Sequence, residues 1–308
     1  MSSNFISYSL FEPKKVYEHR TYDDDKTKKD RYWYNLPSLA IVNKALYPSY
    51  EMHLSVCPAT VKHPLFKFYD RLCEVDSHYT YSIIEDSYSG HEPALWRMEL
   101  LWRKGAQIVL SRDIDSIPNV DEYRCTKFFE SSPYSVHTIR SHEHHCNFPC
   151  RMLIGLSGFK PPLIPPGLLT PTFKGFKKMH ALPEKLLEDP TVKWNSDQLT
   201  VINAFTTNEF FTADHFLDSK INNQHRYAEF FCHEPTFDEL EAVEVTPLAQ
   251  RVFGMVSRFK VAEWAGQPCD TRGPFLNELL DISHTLSVRN ILNEDSRLQD
   301  FYLNVKSH

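Results

Sequence analysis

The sequence predicts an α/β protein on a mostly parallel central sheet, and three observations carry that expectation. Through the first half, short apolar or alternating stretches take turns with amphipathic helical ones, the pattern of βαβ units. Right-handed crossovers between such strands put helices on both faces. The apolar run at residues 106–110 leads into Ser111-Arg112-Asp113-Ile114-Asp115-Ser116, a buried strand that ends in two carboxylates one residue apart. The last third mixes helices with irregular segments, so a more helical part follows the sheet.

Residues 5–10 read as the opening strand. Residues 12–31 are dense in charge, including Asp23-Asp24-Asp25-Lys26 and Lys28-Lys29, and read as a solvated loop. Ser38 caps a helix through Leu46 with Leu39, Val42, Ala45 and Leu46 on its apolar face, and Tyr47-Pro48 stops it. Residues 51–57 alternate as a strand, with Met52, Leu54 and Val56 on one face. Pro64 opens a helix whose stripe is Leu65, Phe68, Tyr69 and Leu72. Residues 79–84 form a strand and 94–103 a helix, before the strand at 106. Residues 120–129 follow as a helix with Asp121 and Glu122 in its first turn, where the helix dipole favours negative charge.

A strand at 134–139 leads into Arg140-Ser141-His142-Glu143-His144-His145. The apolar stretch 151–156 closes on Gly155-Leu156-Ser157-Gly158. Residues 160–171 are Pro-rich and irregular, a link from the sheet to the helical part. A helix opens near Trp194-Asn195-Ser196-Asp197 with a Ser or Asn cap. Residues 245–256 and 274–292 are the clearest helices of the last third.

Composition narrows the function classes. The 308 residues carry a net charge of -6, which argues against a general nucleic-acid coat and leaves room for a local basic cleft from Lys160, Lys174, Lys177 and Lys178. No apolar run is long enough for a membrane span, and no secretory signal is expected at the N-terminus. Seven cysteines at irregular spacing favour reduced thiols and a cytoplasmic setting. Neither G-x-G-x-x-G nor G-x-x-x-x-G-K-[ST] is present, so dinucleotide and P-loop readings are set aside.

The chemistry gathers at Asp113 and Asp115. Mg²⁺ and Mn²⁺ take oxygen ligands, and Mg²⁺ commonly shares its site with substrate phosphates. Open α/β sheets bind ligands beyond the carboxyl ends of their strands. A metal-bound diphosphate therefore belongs here; the plainer alternative is a pair of solvated loop carboxylates. The dense set His137, Arg140, His142, His144 and His145 beside Cys146 and Cys150 raises a zinc site, but its spacing fits no familiar four-ligand pattern.

In order, Leu95-Trp96-Arg97, Ser111-Arg112-Asp113-Ile114-Asp115-Ser116, His137-Thr138-Ile139-Arg140-Ser141-His142, Gly155-Leu156-Ser157-Gly158 and Ser196-Asp197-Gln198 resemble the motifs of a family of GT-A-type glycosyltransferases of bacteria, phages and large DNA viruses. The match spans residues 5–204, and Trp264-Ala265-Gly266-Gln267 stands for a late Gly-containing segment. The family has Asp where this chain has Ser141, Pro at Glu143 and Trp at Ser157, so the acceptor side departs from its pattern.

The resemblance implies a GT-A (Rossmann-like) fold, with residues 1–160 as a nucleotide-sugar-binding core and 161–308 as an acceptor-side and helical region packed with it. It implies a metal-dependent, inverting transfer from a nucleotide-diphosphate sugar, UDP by default, to a glycan or to a 5-hydroxymethyl pyrimidine in DNA. Asp113 and Asp115 would hold Mn²⁺ or Mg²⁺, and Tyr8, Ser9, Arg97, Arg112 and Asp113 would bind the donor. Tyr8 is as well explained by strand packing, and the two arginines by structural ion pairs. Arg140 and His142 would face the sugar or diphosphate. Asp197 is the candidate base for the acceptor hydroxyl, or else an ordinary helix cap. Two rivals remain: a nucleotidyltransferase of similar architecture, and a binding module with an inactive site.

Overall fold

The computed structural model describes residues 3–11, 32–85, 92–140, 153–164, 169–182, 196–206, 226–227, 236–282 and 285–305, with the isolated positions 185 and 188. The charged stretch 12–31 and residues 141–152 lie outside them. The strands run in the order β3-β2-β1-β4-β6-β5-β7. They are β1 (Ser3–Leu10), β2 (Tyr50–Val56), β3 (Tyr79–Ile83), β4 (Ala106–Arg112), β5 (Val136–Arg140), β6 (Leu156–Phe159) and the two-residue β7 (Arg226–Tyr227). β1 pairs β4 and β2 pairs β3 in parallel, as the βαβ pattern predicts. β6 runs antiparallel to β4 and to β5, and β5 antiparallel to β7, so the sheet is mixed.

Two compact units are interleaved along the chain. The first takes Met1–Ser7, Tyr88–Arg112 and Asp121–Glu244; the second takes Tyr8–Ser87, Asp113–Val120 and Val245–His308.

In the first unit, one face of β1, β4, β5 and β6 presents Phe5, Val109, Val136 and Phe159 to a buried apolar cluster. The segment Glu92–Trp102 covers that cluster, and it is a 3₁₀ helix where an α-helix is expected. Three residues per turn bring positions i and i+3 into line. That places Leu95, Met98 and Leu101 in one row, each at most 4% exposed. The short helix α5 (Phe173–Met179) adds Phe173 and Phe176 beside Trp102, and α6 (Ser196–Thr206) adds Val201 and Ala204.

On the other face, Leu110, Gly158 and His137 lie side by side across β4, β6 and β5. A Cβ on Gly158 would stand 2.4 Å from His137 Nε2, so only glycine leaves room for the ring. The imidazole then stacks on Phe129 of α4 (Val120–Ser131), with centroids 4.1 Å apart and planes 4° from parallel. The Gly155-Leu156-Ser157-Gly158 stretch thus lies in the strand β6 and its approach.

In the second unit, Met52, Leu54 and Val56 share a face with Tyr79 and Tyr81 of β3, as the alternation predicts. Helix α1 (Leu36–Leu46) meets that face through Ala40, whose carbonyl accepts from the Tyr79 hydroxyl at 2.9 Å. Helix α3 (Phe66–Val75) follows the one-turn α2 (Pro58–Val61) and meets the same face through Tyr69, which donates to the Met52 carbonyl at 2.8 Å. α1 starts two residues before the expected Ser38 cap. Pro37 fits its first turn, and Ser38 is buried within it.

The C-terminal helices are α7 (Phe237–Glu241), of the first unit, and then α8 (Pro247–Phe259), α9 (Pro274–Leu279), α10 (Leu286–Glu294) and α11 (Ser296–Tyr302) of the second. The single helix expected at 274–292 is interrupted after α9, where the Thr285 hydroxyl lies within hydrogen-bond reach of the carbonyls of Leu280 (2.8 Å) and Ile282 (2.7 Å). Gly254 sits exposed inside α8, and a Cβ there would meet nothing within 4 Å. Gly254→Ala is expected to raise stability by about 0.5–1 kcal/mol, because alanine loses less backbone entropy in a helix. A higher urea midpoint with an unchanged slope is the expected reading.

Candidate functional site

β4 is the element on which the motifs converge. Its last residue, Arg112, is 4% exposed and turns its guanidinium inward. Nε donates to Glu122 Oε1 at 2.5 Å, Nη1 to the carbonyls of Ser157 (2.7 Å) and Ser111 (2.9 Å), and Nη2 to Thr126 Oγ1 at 3.1 Å. One side chain therefore ties β4 to β6 and to α4. Arg112, expected either to reach a phosphate or to form a structural ion pair, forms the ion pair and is buried. Its counter-ion Glu122, expected only to complement the helix dipole, is 1% exposed.

Arg97, from the 3₁₀ helix, holds the same strand end by its main chain. Its Nη1 donates to the Arg112 carbonyl at 3.3 Å and its Nη2 to Asp197 Oδ2 at 3.1 Å. Both side chains of this ion pair are buried. Asp197 lies in the first turn of α6, a hundred residues from Arg97 in sequence. Three residues singled out from separate motifs thus meet in the first unit. Asp197, the candidate base, gives a carboxylate oxygen to Arg97.

The acids follow at once. Asp113 is the first residue beyond β4, half-buried; Asp115 is 8% exposed. The turn they share belongs to the second unit and is fixed through main-chain oxygens. Ser116 Oγ donates to the Asp113 carbonyl at 3.1 Å, and the Cys269 amide donates to the Asp115 carbonyl at 2.8 Å. Ser116 also forms an isolated antiparallel bridge with Pro268. The late Gly-containing segment therefore ends against the Asp-X-Asp turn, a contact no local pattern announces. Burial pushes the Cys269 thiol up to about 12, with the negative charge of Asp115 adding to it, so it stays a thiol at neutral pH.

The donor set at this turn is two carboxylates, which suits a hard cation that completes its shell from phosphates and water. Among the described residues no group of three or more His, Cys, Asp or Glu side chains is placed to hold a metal by itself.

Tyr8 does not present its ring for stacking. It is 1% exposed, and its hydroxyl accepts from Asn43 Nδ2 at 2.9 Å inside the second unit. Ser9, pointing the other way along β1, is half-buried. Arg140 closes β5, while its side chain, His142 and the whole His/Cys stretch 142–150 lie outside the described residues. Ser157, read as an acceptor-side position, is fully buried and donates to the Leu153 carbonyl at 2.7 Å.

Of the four lysines considered for a basic cleft, Lys160 is buried, with its ammonium on the Ser132 carbonyl and 4.6 Å from the Phe129 ring centroid. Lys174 and Lys178 are exposed on α5, and Lys177 lies half-buried over Phe173.

His137 is fully buried, and its pKa is held well below the usual histidine value by burial first and then by Arg112 and Lys160. Sequence reasoning set it among the residues that raised a zinc site; it is instead packed in the interior against Phe129. It titrates with a definite sign. Below about pH 6.5 the unfolded chain binds a proton that the folded chain refuses, until the depressed folded value is reached. Stability from this group is complete above that pH and falls by about 1.4 kcal/mol per pH unit beneath it. Denaturant curves for the wild type and His137→Gln at about pH 7 and about pH 5.5 check this; the variant should lose less on acidification.

No helix among the described residues is long and apolar enough to cross a membrane. No protein-family model matches this chain, and no curated protein sequence matches it.

Proposed function

We propose that this chain is a metal-dependent glycosyltransferase that moves a sugar from a nucleotide-diphosphate sugar, UDP by default, to a hydroxyl of a glycan or of a 5-hydroxymethyl pyrimidine in DNA. The observation that carries the reading is the anchoring of β4. A strand parallel to β1 is clamped at its end by Arg97, Asp197, Arg112 and Glu122, and its next residues are Asp113-Ile114-Asp115. Burying two ion pairs to fix one strand end makes sense where the following residues must be placed accurately.

Asp113 and Asp115 would hold Mn²⁺ or Mg²⁺. When bound, the cation offsets the charge that builds on the leaving diphosphate. Ser9, half-buried beside the last residue of β1, is the better placed of the Tyr8-Ser9 pair to touch the donor. Arg97 and Asp197 act as positioning residues, since each neutralises the other. Arg140 and His142 stay assigned to the sugar or diphosphate by motif alone. Cys57, Cys73, Cys125 and Cys269, none of them in a disulfide, suit the reducing cytoplasm of a bacterium or an infected cell.

The test is a panel of nucleotide sugars with Mn²⁺, with and without oligosaccharides or hydroxymethylated DNA. Release of nucleoside diphosphate, stimulated by one acceptor, supports the reading. Release of pyrophosphate from a sugar phosphate and a nucleoside triphosphate would make the chain a nucleotidyltransferase instead. Silence with every donor and metal would leave a binding module.

A further inference from the structure

We propose that Asn35 is a positioning residue for Asp115, acting through the C-terminal strap of residues 268–271 to set the affinity of the Asp-X-Asp turn for a divalent cation. The inference rests on the metal-dependent reading above. Asn35 is fully buried at the N-cap of α1, yet its side chain makes no capping bond. It reaches across the sequence instead. Oδ1 accepts from the Thr271 hydroxyl at 2.9 Å and from the Thr271 amide at 3.2 Å. Nδ2 donates to Cys269 Sγ at 3.6 Å. Cys269 then donates its amide to the Asp115 carbonyl at 2.8 Å, and Pro268 forms the bridge with Ser116.

The chemistry needs an amide at this position. One group must accept two donors from Thr271 and donate to a half-buried sulfur that stays protonated. A carboxylate offers no donor, and a hydroxyl has too short a reach to serve both residues. Thr271, fully buried itself, also places its hydroxyl 3.3 Å from the Tyr34 carbonyl. Without Asn35 the buried Thr271 amide and the half-buried Cys269 thiol each lose a partner, and the strap that supports the main chain of Asp115 can shift. A shift of that size leaves the fold standing while spoiling the placement of a carboxylate. Groups that orient metal ligands typically alter affinity by about 10–100-fold when removed.

Mn²⁺ titration of the full chain, followed by the electron paramagnetic resonance signal of the free ion, tests this on the wild type, Asp115→Asn, Asn35→Ala, Thr271→Val and Thr271→Ser. The rate of Cys269 alkylation reports on the strap in the same samples. The wild type should bind, and Asp115→Asn should lose binding. Asn35→Ala should bind about tenfold more weakly, with Cys269 alkylated faster. Thr271→Val should weaken binding in the same direction, and Thr271→Ser, which restores the hydroxyl, should recover it.

If Asn35→Ala frees Cys269 but leaves Mn²⁺ affinity at the wild-type value, the positioning role is overturned and the metal reading survives. If the wild type does not bind, or Asp115→Asn binds equally well, the metal reading fails and takes this inference with it. Should Asn35→Ala not fold, the Thr271 pair decides by the same criterion.

Discussion

Glu122→Ala is expected to destabilise the protein by about 3–5 kcal/mol, the cost of leaving a buried guanidinium without its counter-charge. The pair is well shielded, with side chains 4% and 2% exposed, so solvent does little to screen it. The remaining partners of Arg112 are neutral: two carbonyls and a hydroxyl. They satisfy hydrogen bonds and leave the charge uncompensated. The double variant Arg112→Met with Glu122→Leu removes both charges and should recover much of the loss, since replacing a buried pair by apolar groups is often close to neutral. Guanidinium chloride unfolding of Arg112→Met, Glu122→Leu and the double gives the coupling directly. A loss below about 1 kcal/mol for Glu122→Ala would mean that the pair behaves like a surface contact.

The larger effect on activity is expected at Asp115. Asp115→Asn keeps the size of the side chain and the carbonyl that accepts from Cys269, so folding should hold. What it removes is one anionic oxygen of the pair proposed to hold the cation. Nucleoside diphosphate release should fall by about 10²–10³-fold, the scale for losing one group that stabilises developing negative charge. The loss should persist at saturating Mn²⁺ if Asp115 acts in the transition state, and shrink if it only binds the ion. Unchanged release across the donor panel would end the case for the Asp-X-Asp turn as the metal anchor.

Much of the architecture is legible because burial leaves a periodic trace. Met52, Leu54 and Val56 fall on one face by simple alternation, and the run into Asp113 marks both a strand and its end. Other features leave no such trace. Residues 92–102 are rich in helix formers, and only packing of Leu95, Met98 and Leu101 in one row distinguishes a 3₁₀ winding from an α one. The antiparallel direction of β5 and β6 is unreadable for a related reason, since short strands look alike whichever way their neighbours run.

For the candidate site, sequence by itself singled out Arg97, Arg112 and Asp197, which meet at the end of β4, and Asp113 and Asp115, which follow it in the chain. It could not assign their tasks. An arginine beside two acids looks the same whether its fork meets a phosphate or Glu122, because the partner is ten residues away and on another element. Tyr8 likewise reads equally as a stacking ring or a packed one until Asn43 is seen on its hydroxyl. Asn35, Cys269 and Thr271 carried no signal at all, since Asn35 lies more than two hundred residues from the other two. Local pattern determines which apolar residues share a buried face and where the charges stand along the chain. Only tertiary structure decides which buried charge neutralises which, because a hydrogen bond is set by a few tenths of an ångström between atoms whose separation along the chain is arbitrary.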